Sequence, residues 1–380
     1  MQMSALARKK ELRIVGIMNG TSLDGIDYVY CKVQAGRQPK ITFLGQEHFD
    51  FPDEIRNQLA RAANHQLNVA EISDLHHDLG RLYAEQFKKI VSKRKWKVDA
   101  IGLHGQTVYH APPRATLQIG EPSYMSAQFQ IPVISDFRTA DLAVGGQGAP
   151  IASLFHRVVF QTQFPKQMIS VHNLGGISNL SFINRKGDVE KAFDTGPANM
   201  LMDLFISKVS RGEVHFDEGG KFSARGLPLQ RLVEDVLQTN EFLVQEPPKS
   251  CGREQFGEIF LKALDDKMGP LIPEDKMATL AELTARSIAQ AYEQFCPQIP
   301  KAVILCGGGA LNPYLHKRIQ YHLPKTAVMT TEDFGWPVDS IEGAAFALLA
   351  AYKIWEKPSN LPKTTGAKKE VKLGKVTEVL

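Results

Sequence analysis

The chain has 380 residues, which at roughly 150 residues per domain corresponds to two or three domains and excludes a miniprotein. Its content of 43% hydrophobic and 23% charged residues is typical of a folded globular protein and excludes global disorder. The net charge of +4 is carried by residues 357–380, which contain six Lys and two Glu. The body of the chain is therefore neutral, and we expect no nucleic-acid partner.

The spacing of the cysteines and the lack of a long apolar stretch indicate the cellular compartment. Cys31, Cys251, Cys296 and Cys306 are far apart and form no CxxC pair, so we expect neither a zinc site nor a disulfide framework. The basic N-terminus is not followed by an apolar segment, and no later stretch approaches the ~18 unbroken apolar residues of a membrane span. These features predict a cytoplasmic protein without membrane contact, and they leave monomer and homodimer open.

Two segments with the same pattern indicate a duplicated architecture. Residues 12–33 alternate around the polar turn NGTSLDG, as expected for the two strands of a hairpin. Residues 168–183 repeat this pattern in the second half of the chain, around the turn NLGGISN. Such a repeat predicts two similar halves, which usually leave a ligand cleft between them.

The rest of the chain alternates between predicted helices and strands, which favours an α/β fold. In chain order the predicted elements are helices 53–62 and 69–91, strands 98–103 and 131–134, helix 280–295, strand 302–305 and helix 340–355. Small residues on one face of the last helix predict close packing against another element. Beyond Pro358 the abundance of Lys, Thr, Gly and Pro predicts a mobile or loosely packed tail.

Three glycine-bearing turns offer backbone N–H groups and small residues that a phosphate can approach. They are Asn19–Gly25, Asn173–Asn179 and Gly307–Gly309. None contains the GxxxxGK[ST] of a P-loop, and each also fits an ordinary turn. The recurrence of the first turn in the second half favours a shared phosphate site, but the turns alone leave the purely structural interpretation open.

Charged and polar side chains near these turns are the candidates for chemistry. Asp194 lies in FDTGPAN, where we expect a turn that opens a helix, so its carboxylate is either a general base, ionised at neutral pH, or the N-cap of that helix. Arg138 follows a predicted strand and can pair with a substrate carboxylate or with a protein Asp. His104 and His110 lack a third metal ligand, which favours hydrogen bonding. Glu342 opens the last helix, where the helix dipole favours it whatever its function.

Eight blocks of sequence together resemble the anhydro-N-acetylmuramic acid kinase family. They are GIMNGTSLDGID, GLHGQTVYHAP, ISDFRTADLAVGGQGAP, NLGGISNLSF, FDTGPAN, KSCGREQFG, LCGGGALNP and DSIEGAAFALLA. Their order and spacing match the family from about Ile14 to about Tyr352. The resemblance implies the two-domain α/β ATPase fold of the sugar kinase, Hsp70 and actin superfamily, with a nucleotide cleft between duplicated halves.

The resemblance also implies a reaction in cell-wall recycling. Water opens the 1,6-anhydro bridge of anhydro-N-acetylmuramic acid at C1, and the released O6 takes the γ-phosphoryl group of ATP. The products are N-acetylmuramic acid 6-phosphate and ADP. Asp194 matches the family's catalytic base, which activates the water, and Glu342 matches a second carboxylate that assists.

The same matching assigns binding roles to further residues. The implied nucleotide contacts are Gly20, Thr21, Ser22, Leu23, Asp24, Gly25, Ile26, Asp27, Gly175, Gly176, Gly307 and Gly308. His104, Gln106 and Arg138 are implied sugar contacts, with Arg138 a candidate for the lactyl carboxylate. ATP and Mg²⁺ are the implied cofactors. Asn19 and Asn173 stand where many members of the superfamily have Asp, so the metal ligands remain unassigned.

We expect domain I to comprise residues 1–137 and 345–380, with the first phosphate hairpin. Domain II, residues 138–344, then carries the second hairpin, the catalytic Asp and the adenosine segment. Two other functions stay open at this point, a kinase for another sugar and a nucleotide-gated binding protein of the actin or chaperone type. We expect no peptide-binding domain after Tyr352, which argues against the second of these.

Overall fold

The computed structural model describes residues 3–20, 23 and 25–378 of the chain. It divides into two compact units. The first unit consists of Met1–Thr162 and Ser340–Leu380, and the second unit of Gln163–Asp339. Each unit contains one main β-sheet, and helices accompany both sheets, which confirms the expected α/β class.

The strands and helices that the sequence predicts are present, and the helix predicted at 280–295 begins earlier, at Pro273. Further strands and helices lie between them. The strands are β1 (Glu11–Met18), β2 (Gly25–Gln34), β3 (Lys40–Asp50), β4 (Ala100–Leu103), β5 (Gln106–Ala111), β6 (Ala115–Ile119), β7 (Val133–Ser135), β8 (Ile169–Leu174), β9 (Ile177–Ile183), β10 (Val189–Pro197), β11 (Ala302–Cys306), β12 (Ala327–Thr330) and β13 (Lys375–Thr377). The α-helices are α1 (Met3–Ala7), α2 (Asp53–Ala63), α3 (Val69–Arg94), α4 (Ser123–Phe129), α5 (Thr139–Leu142), α6 (Ser153–Phe160), α7 (Met200–Val209), α8 (Gln230–Thr239), α9 (Glu241–Val244), α10 (Arg253–Phe256), α11 (Glu258–Met268), α12 (Pro273–Phe295), α13 (Pro313–His322), α14 (Ile341–Ile354) and α15 (Pro362–Thr365). Short 3₁₀ helices occupy Glu218–Gly220, Ser223–Arg225, Gly308–Leu311 and Thr331–Phe334. Among the helices described, none is both long and apolar enough to span a bilayer.

The main sheets of the two units share one topology. The strand order is β13-β7-β4-β1-β2-β3 in the first unit and β10-β9-β8-β11-β12 in the second. In each, three strands form an antiparallel meander, and two further strands add in parallel beside the first strand of that meander. The two predicted hairpins are therefore equivalent parts of a duplicated sheet. This duplication confirms the expected α/β fold with two similar halves.

The central strands of both sheets are apolar on both faces. All residues of β4 and of β11 are buried, and β1 is buried from Ile14 to Met18. Strands that are covered on both sides lose the alternation of apolar and polar residues, so short continuous apolar runs mark them in the sequence. Strands β1 and β11 end at turns that were predicted to bind phosphate.

Helix α14 packs its small-residue face directly on the first sheet. A Cβ atom on Gly16 would lie 1.8 Å from the carbonyl oxygen of Gly343, and a Cβ on Gly343 would lie 2.4 Å from Cγ2 of Val29. Only glycine permits backbones to approach this closely. The predicted close packing of the last helix is confirmed, and it fixes the helix start that carries Glu342.

The C-terminal segment is packed, so the prediction of a mobile tail is wrong. Strand β13 pairs antiparallel with β7, and Leu373 is buried. The buried carboxylate of Asp141 accepts hydrogen bonds from Asn360 Nδ2 at 2.9 Å and from Thr365 Oγ1 at 2.8 Å, and it also accepts the N–H of Gly148 at 2.8 Å. Composition misled the prediction, because the acceptor that orders the segment lies more than two hundred residues earlier in the chain.

The division between the units differs from the expected domain boundaries. It falls at 162/163 and 339/340, whereas 137/138 and 344/345 were expected. Residues 138–162 belong with the first unit because Asp141 is bonded to the C-terminal segment and α6 packs against α14. The assignment of functional parts to two domains stays a prediction.

A buried ion cluster joins three helices of the second unit. Glu282 of α12 is fully buried, and its carboxylate accepts two hydrogen bonds from Arg318, at 2.6 and 2.8 Å, and one from His322 at 2.8 Å. Gln230 of α8 donates a longer bond to the same carboxylate. Burial alone would raise the pKa of Glu282, but the bonds from His322 and Arg318 outweigh it and lower the pKa to about 2. Both partners on α13 are thereby fixed to α12.

We predict that Thr365→Val destabilises the protein by about 1–3 kcal/mol, because it leaves the buried Asp141 carboxylate with one donor fewer. Urea unfolding followed by circular dichroism measures this change. Thr42→Val is the matched control, since Thr42 lies exposed on β3 of the same unit. Equal stability of the two variants would show that the C-terminal segment adds no stability through this bond.

Candidate active site

The first glycine turn, between β1 and β2, is supported by buried amide groups. Asn19 Nδ2 donates to the hydroxyl oxygen of Tyr83 at 2.8 Å and to Gln106 Oε1 at 3.1 Å. Gln106 Nε2 in turn donates to the carbonyl oxygen of Gly20 at 3.3 Å. Asn19 and Gln106 are both 1% exposed, so these side chains are bonded within the protein rather than to solvent. The structure thus gives Gln106 a supporting position beneath the turn.

Part of the predicted nucleotide segment lies outside the described residues, namely Thr21, Ser22 and Asp24. Between them, Leu23 adopts a left-handed φ of 59°, and its N–H donates to the carbonyl oxygen of Gly20 at 3.4 Å. Leu23 is therefore held close to the end of β1 by this bond to Gly20.

The end of this segment enters β2. Gly25 and Ile26 are buried, and a Cβ on Gly25 would lie 2.4 Å from the carbonyl oxygen of Phe49, so packing requires glycine there. The carboxylate of Asp27 lies 2.7 Å from Nδ1 of His48 on β3. These residues anchor the turn in the sheet.

The second glycine turn is fixed to the start of α7. Gly175 and Gly176 alone separate β8 from β9. The carbonyl of Gly175 accepts the N–H of Asn199 at 2.9 Å, and the carbonyl of Gly176 accepts the N–H groups of Ala198 and Met200 at 3.0 and 3.2 Å. The turn and the helix start therefore form one rigid element.

Glycine at position 175 is not required by internal packing. A Cβ placed there would meet its nearest neighbour, the carbonyl oxygen of Ile177, at an ordinary contact distance of 3.7 Å. At Gly176 the side chain of Met200 comes within 3.2 Å of such a Cβ. The space beside Gly175 is consequently open to a ligand that approaches the backbone there.

The third glycine turn packs against the second. Gly307 has a φ of 75°, and a Cβ on it would lie 2.3 Å from Asn173 Oδ1, while a Cβ on Gly309 would lie 2.6 Å from Asn199 Oδ1. Gly308 is exposed, and its nearest neighbour would be 3.8 Å away. Gly307 is therefore needed for contact between the turns, and Gly308 offers open backbone to a ligand.

Asp194 lies within strand β10, not in a turn that opens a helix, so that prediction is wrong. The N-cap of α7 is Asn199, which excludes the N-cap role for Asp194. The N–H of Asp194 donates to the carbonyl oxygen of Lys249 at 3.1 Å, and its Oδ2 accepts the N–H of Cys251 at 2.9 Å. This is the only hydrogen bond to the carboxylate from the described residues.

The Asp194 carboxylate is half-buried, and its environment changes its acidity. Burial raises its pKa, while the N–H of Cys251 and the positive charge of Lys249 oppose the rise, so the pKa is about 6. At pH 7 about nine-tenths of the molecules therefore carry it ionised, as a general base close to its working pH requires. The sequence predicted the ionised state but not the higher pKa.

Lys249 and Cys251 are residues that sequence reasoning left without a role. The Lys249 ammonium is almost fully buried, where it donates to the carbonyl oxygens of Phe242 and Leu243 at 2.9 and 3.2 Å. It also lies 4.3 Å from the ring centroid of Phe295. The block KSCGREQFG marked this segment, but only the fold shows that its backbone meets Asp194.

A second polar cluster lies in the first unit, around Arg138. Its guanidinium donates to His104 Nε2 from Nε at 3.3 Å and from Nη2 at 3.0 Å, and Nη1 donates to the carbonyl oxygen of Gly148 at 2.8 Å. Burial lowers the pKa of Arg138 to about 10, partly offset by the charge of Glu342, so the group stays cationic at neutral pH. The structure thus brings His104, Arg138 and Glu342 into one electrostatic cluster.

The contact with Arg138 determines the state of His104. Because Nε2 accepts from a cation, His104 is neutral and carries its proton on Nδ1. Burial and the charge of Arg138 both lower the pKa of His104, in agreement with this state. Nδ1 is buried and has no hydrogen-bond partner among the described residues. A ligand acceptor would satisfy this donor.

Neighbouring groups complete the electrostatics of this cluster. His110 has its pKa lowered to about 4 by burial and by Arg138, so it is also neutral. Glu342 lies exposed in the first turn of α14. The cluster therefore combines one fixed positive charge with neutral imidazoles and a solvent-facing carboxylate.

The described residues do not form a carboxylate cage for Mg²⁺. Within them, no group of three His, Cys, Asp or Glu has a metal-binding arrangement. Asn19 Oδ1 lies 3.1 Å from the Tyr83 hydroxyl, which donates to it. Magnesium prefers several oxygen ligands in an octahedral arrangement, which the protein groups described here do not supply.

The duplicated sheet with glycine turns at both hairpins defines a class of two-unit α/β proteins, and sequence comparison refines this assignment. The anhydro-N-acetylmuramic acid kinase family model matches residues 12–379. The anhydro-N-acetylmuramic acid kinase of Caldanaerobacter subterraneus is 36% identical over 389 aligned positions, covering 97% of this chain and 98% of the relative. The enzyme of that name from Crocosphaera subtropica is 38% identical, covering 95% and 98%. The chain belongs to the anhydro-N-acetylmuramic acid kinase family, and it is a kinase.

Solved structures resemble this chain more distantly. The activator of 2-hydroxyisocaproyl-CoA dehydratase from Clostridium difficile, with bound ADPNP, has a TM-score of 0.47 at 10% identity, covering 91% of this chain and 96% of that one. A ROK family glucokinase from Streptomyces griseus, in complex with glucose and AMPPNP, has a TM-score of 0.39 at 12% identity, covering 89% and 98%.

We predict that Gly175→Ala raises the KM for ATP about tenfold, a loss of about 1.4 kcal/mol of binding, without lowering the melting temperature. The added methyl group meets no close protein atom, so its effect falls on a ligand at the turn. Steady-state kinetics and thermal melting measure the two quantities. Gly45→Ala is the control, because its Cβ would also make an ordinary contact, 3.4 Å from Trp96. An unchanged KM for ATP would show that the second turn is not part of the nucleotide site.

We predict that kcat/KM falls as the pH drops through about 6, because protonation of Asp194 removes the base. Lys249→Met should move this acid limb to higher pH, since the positive charge of Lys249 lowers the pKa of Asp194. Rate profiles between pH 4.5 and 9, with circular dichroism to verify folding, measure both effects. A midpoint that stays in place in a folded Lys249→Met variant would contradict the assignment.

Proposed function

We propose that the enzyme opens the 1,6-anhydro bridge of anhydro-N-acetylmuramic acid with water and transfers the γ-phosphoryl group of ATP to O6. The family membership supports the sugar and the donor. The observation that carries the chemistry is the half-buried Asp194 carboxylate, with its pKa of about 6 and a single protein donor on Oδ2 among the described residues. Its Oδ1 is then left to accept a proton from water.

The proposed reaction balances as one addition of water and one phosphoryl transfer. Asp194 removes a proton from the water, whose oxygen forms a bond to C1 while the bond from C1 to the bridging O6 breaks. The electron pair of that bond stays on O6, which attacks the γ-phosphorus, and ADP leaves. The proton on Asp194 is afterwards returned to solvent. The product is N-acetylmuramic acid 6-phosphate.

The glycine turns supply the electrostatic part of this proposal. Phosphoryl transfer depends on positioning and on stabilising charge on the phosphoryl oxygens. The exposed backbone at Gly176 and Gly308, and the space beside the half-buried Gly175, support a role in approaching the nucleotide. Gly20 to Asp27 form the corresponding segment of the first unit. Gly307 supports the site through packing.

We assign the sugar carboxylate to Arg138. Its charge is kept at neutral pH, and its guanidinium is oriented by His104 and by the Gly148 carbonyl. The Nδ1–H of His104 is a further donor suited to a carboxylate or hydroxyl oxygen. Glu342 is kept as an assisting carboxylate, and Gln106 is assigned to support of the first turn instead of sugar contact.

Several parts of the proposal remain predictions. Mg²⁺ is expected to travel with ATP, held mainly by phosphate oxygens and water, and a cytoplasmic location is expected because ATP is the donor. A homodimer is also a prediction. Metal removal by EDTA with re-addition, cell fractionation and sedimentation analysis test these three statements.

We predict that Asp194→Asn lowers kcat by about 10²–10⁴-fold, the typical value of a general base, while the melting temperature changes little. The assay couples ADP release to a dehydrogenase and identifies the sugar product by mass spectrometry. Bridge opening with transfer adds water and a phosphoryl group, whereas an ordinary sugar kinase adds the phosphoryl group alone. Asp235→Asn is the control, because Asp235 is an exposed carboxylate of the same unit.

Two outcomes would overturn the proposed function. Full activity of Asp194→Asn would exclude this residue as the base. ADP release that is independent of any sugar would instead favour a nucleotide-gated binding protein.

A further inference from the structure

A buried chain of polar side chains crosses the second unit beside the candidate base. It contains Ser170 and His172 of β8, Ser178 of β9, Thr195 of β10 and Tyr292 of α12, and each is at most 1% exposed. A fully buried polar chain of this length is costly unless every member is hydrogen-bonded. Each of these side chains is hydrogen-bonded to the next one, so the bonds among them offset the free-energy cost of burying their polar groups.

The distances define the order of the chain. Thr195 Oγ1 lies 2.8 Å from Ser178 Oγ, which lies 2.6 Å from His172 Nε2. His172 Nδ1 lies 2.9 Å from the hydroxyl of Tyr292, which donates to Ser170 Oγ at 2.8 Å. The chain therefore runs from β10 through β9 and β8 to α12 and back to β8.

Its end point fixes the direction of the protons. Ser170 Oγ donates to the carbonyl oxygen of Ser181, which can only accept. Tyr292 then donates to Ser170, His172 donates from Nδ1 to Tyr292, and its Nε2 accepts from Ser178. Burial lowers the pKa of His172 to about 3, so the imidazole is neutral, as this arrangement requires.

The first member of the chain lies at an irregularity of β10. Asp194 pairs with Asn179 and Gly196 pairs with Ser178, so Thr195 is the extra residue of a β-bulge. A bulge bends its strand and redirects the neighbouring side chains. The residue that makes this bulge immediately follows Asp194, and its hydroxyl is held by Ser178.

We propose that Thr195 and His172 are positioning residues, which fix the bulge in β10 and thereby aim the Asp194 carboxylate. This inference rests on the proposed role of Asp194 as the base. Neither residue touches the reacting atoms; both act through the backbone that carries Asp194. The alignment that they maintain includes the bond from the Cys251 N–H to Asp194 Oδ2, at 2.9 Å.

The test compares Thr195→Val with Thr195→Ser, since serine keeps the hydroxyl and valine keeps the shape. We expect Thr195→Val to lower kcat about 10–100-fold, the effect of misplacing a reacting group by up to about 1 Å, with the KM for ATP within about twofold of the original. Thr195→Ser should recover most of the rate. His172→Leu should behave like Thr195→Val, because it removes the acceptor for Ser178.

The pH profile separates positioning from general stability. If the bulge relaxes, the Cys251 bond to Asp194 weakens, and Lys249 is the charged group that still faces the carboxylate. The acid limb of kcat/KM should then move to higher pH in Thr195→Val. Thr326→Val is the matched control, because it removes a buried threonine hydroxyl that donates to the Pro300 carbonyl elsewhere in the second unit.

The outcomes are distinguishable from failure of the proposed function. If Asp194→Asn abolishes activity but Thr195→Val changes only the melting temperature, as Thr326→Val does, the positioning role is refuted alone. If Asp194→Asn leaves the rate intact, the base itself is refuted. Should Thr195→Val fail to fold, Ser178→Ala measures the same link, and an unchanged rate and acid limb there would refute the inference.

Discussion

The proposed chemistry depends on a balance at one carboxylate, that of Asp194, between loss of solvent and retained charge. As the proposed base, Asp194 must be shielded enough for its pKa to approach neutrality, because a base with an ordinary Asp pKa is ionised but weak. Shielding alone would raise the pKa of Asp194 further. One backbone N–H, from Cys251, and the charge of Lys249 oppose that result and hold the pKa near 6. The buried Lys249 ammonium is stabilised by two carbonyl oxygens, which accept its hydrogen bonds, and by the aromatic rings beside it.

Because one backbone N–H takes part in this balance, the pKa of Asp194 depends more on the position of the local backbone than on any additional side chain. Strand β10 ends next to α7, whose first N–H groups are held by the carbonyls of the second glycine turn. The proposed base and the turn proposed to bind phosphate are thus carried by one continuous, hydrogen-bonded element of the second unit. Residues 195–199 connect Asp194 to the start of α7, and the bulge at Thr195 lies within this connection. In the proposed mechanism, a rigid connection keeps the reacting groups aligned.

The sequence predicted the repeated architecture well because the signals were local. Two polar turns between apolar strands marked the hairpins, and continuous apolar runs marked the central strands such as β11. The small residues of α14 likewise indicated close packing. The environment of Asp194 was not predictable in this way, since Lys249 and Cys251 lie more than fifty residues away and their backbone groups make the contacts. The C-terminal segment was misjudged for the same reason, because Asp141 orders it from a distant part of the chain.

In the cluster of the first unit the buried charged group is a cation, Arg138, and not a carboxylate. Arg138 is desolvated, which lowers its pKa to about 10. Its positive charge persists, because a guanidinium with this pKa is still protonated at pH 7. Burial and that persistent charge both lower the pKa of His104 and keep it neutral. The neutral ring can accept from Arg138 on Nε2 while it offers Nδ1–H to a ligand. A lysine could not replace this arrangement, since two guanidinium nitrogens contact one imidazole nitrogen while a third nitrogen holds the Gly148 carbonyl. Gly148 is itself bonded to Asp141, so the C-terminal segment, through Asn360 and Thr365, fixes the loop on which the orientation of Arg138 depends.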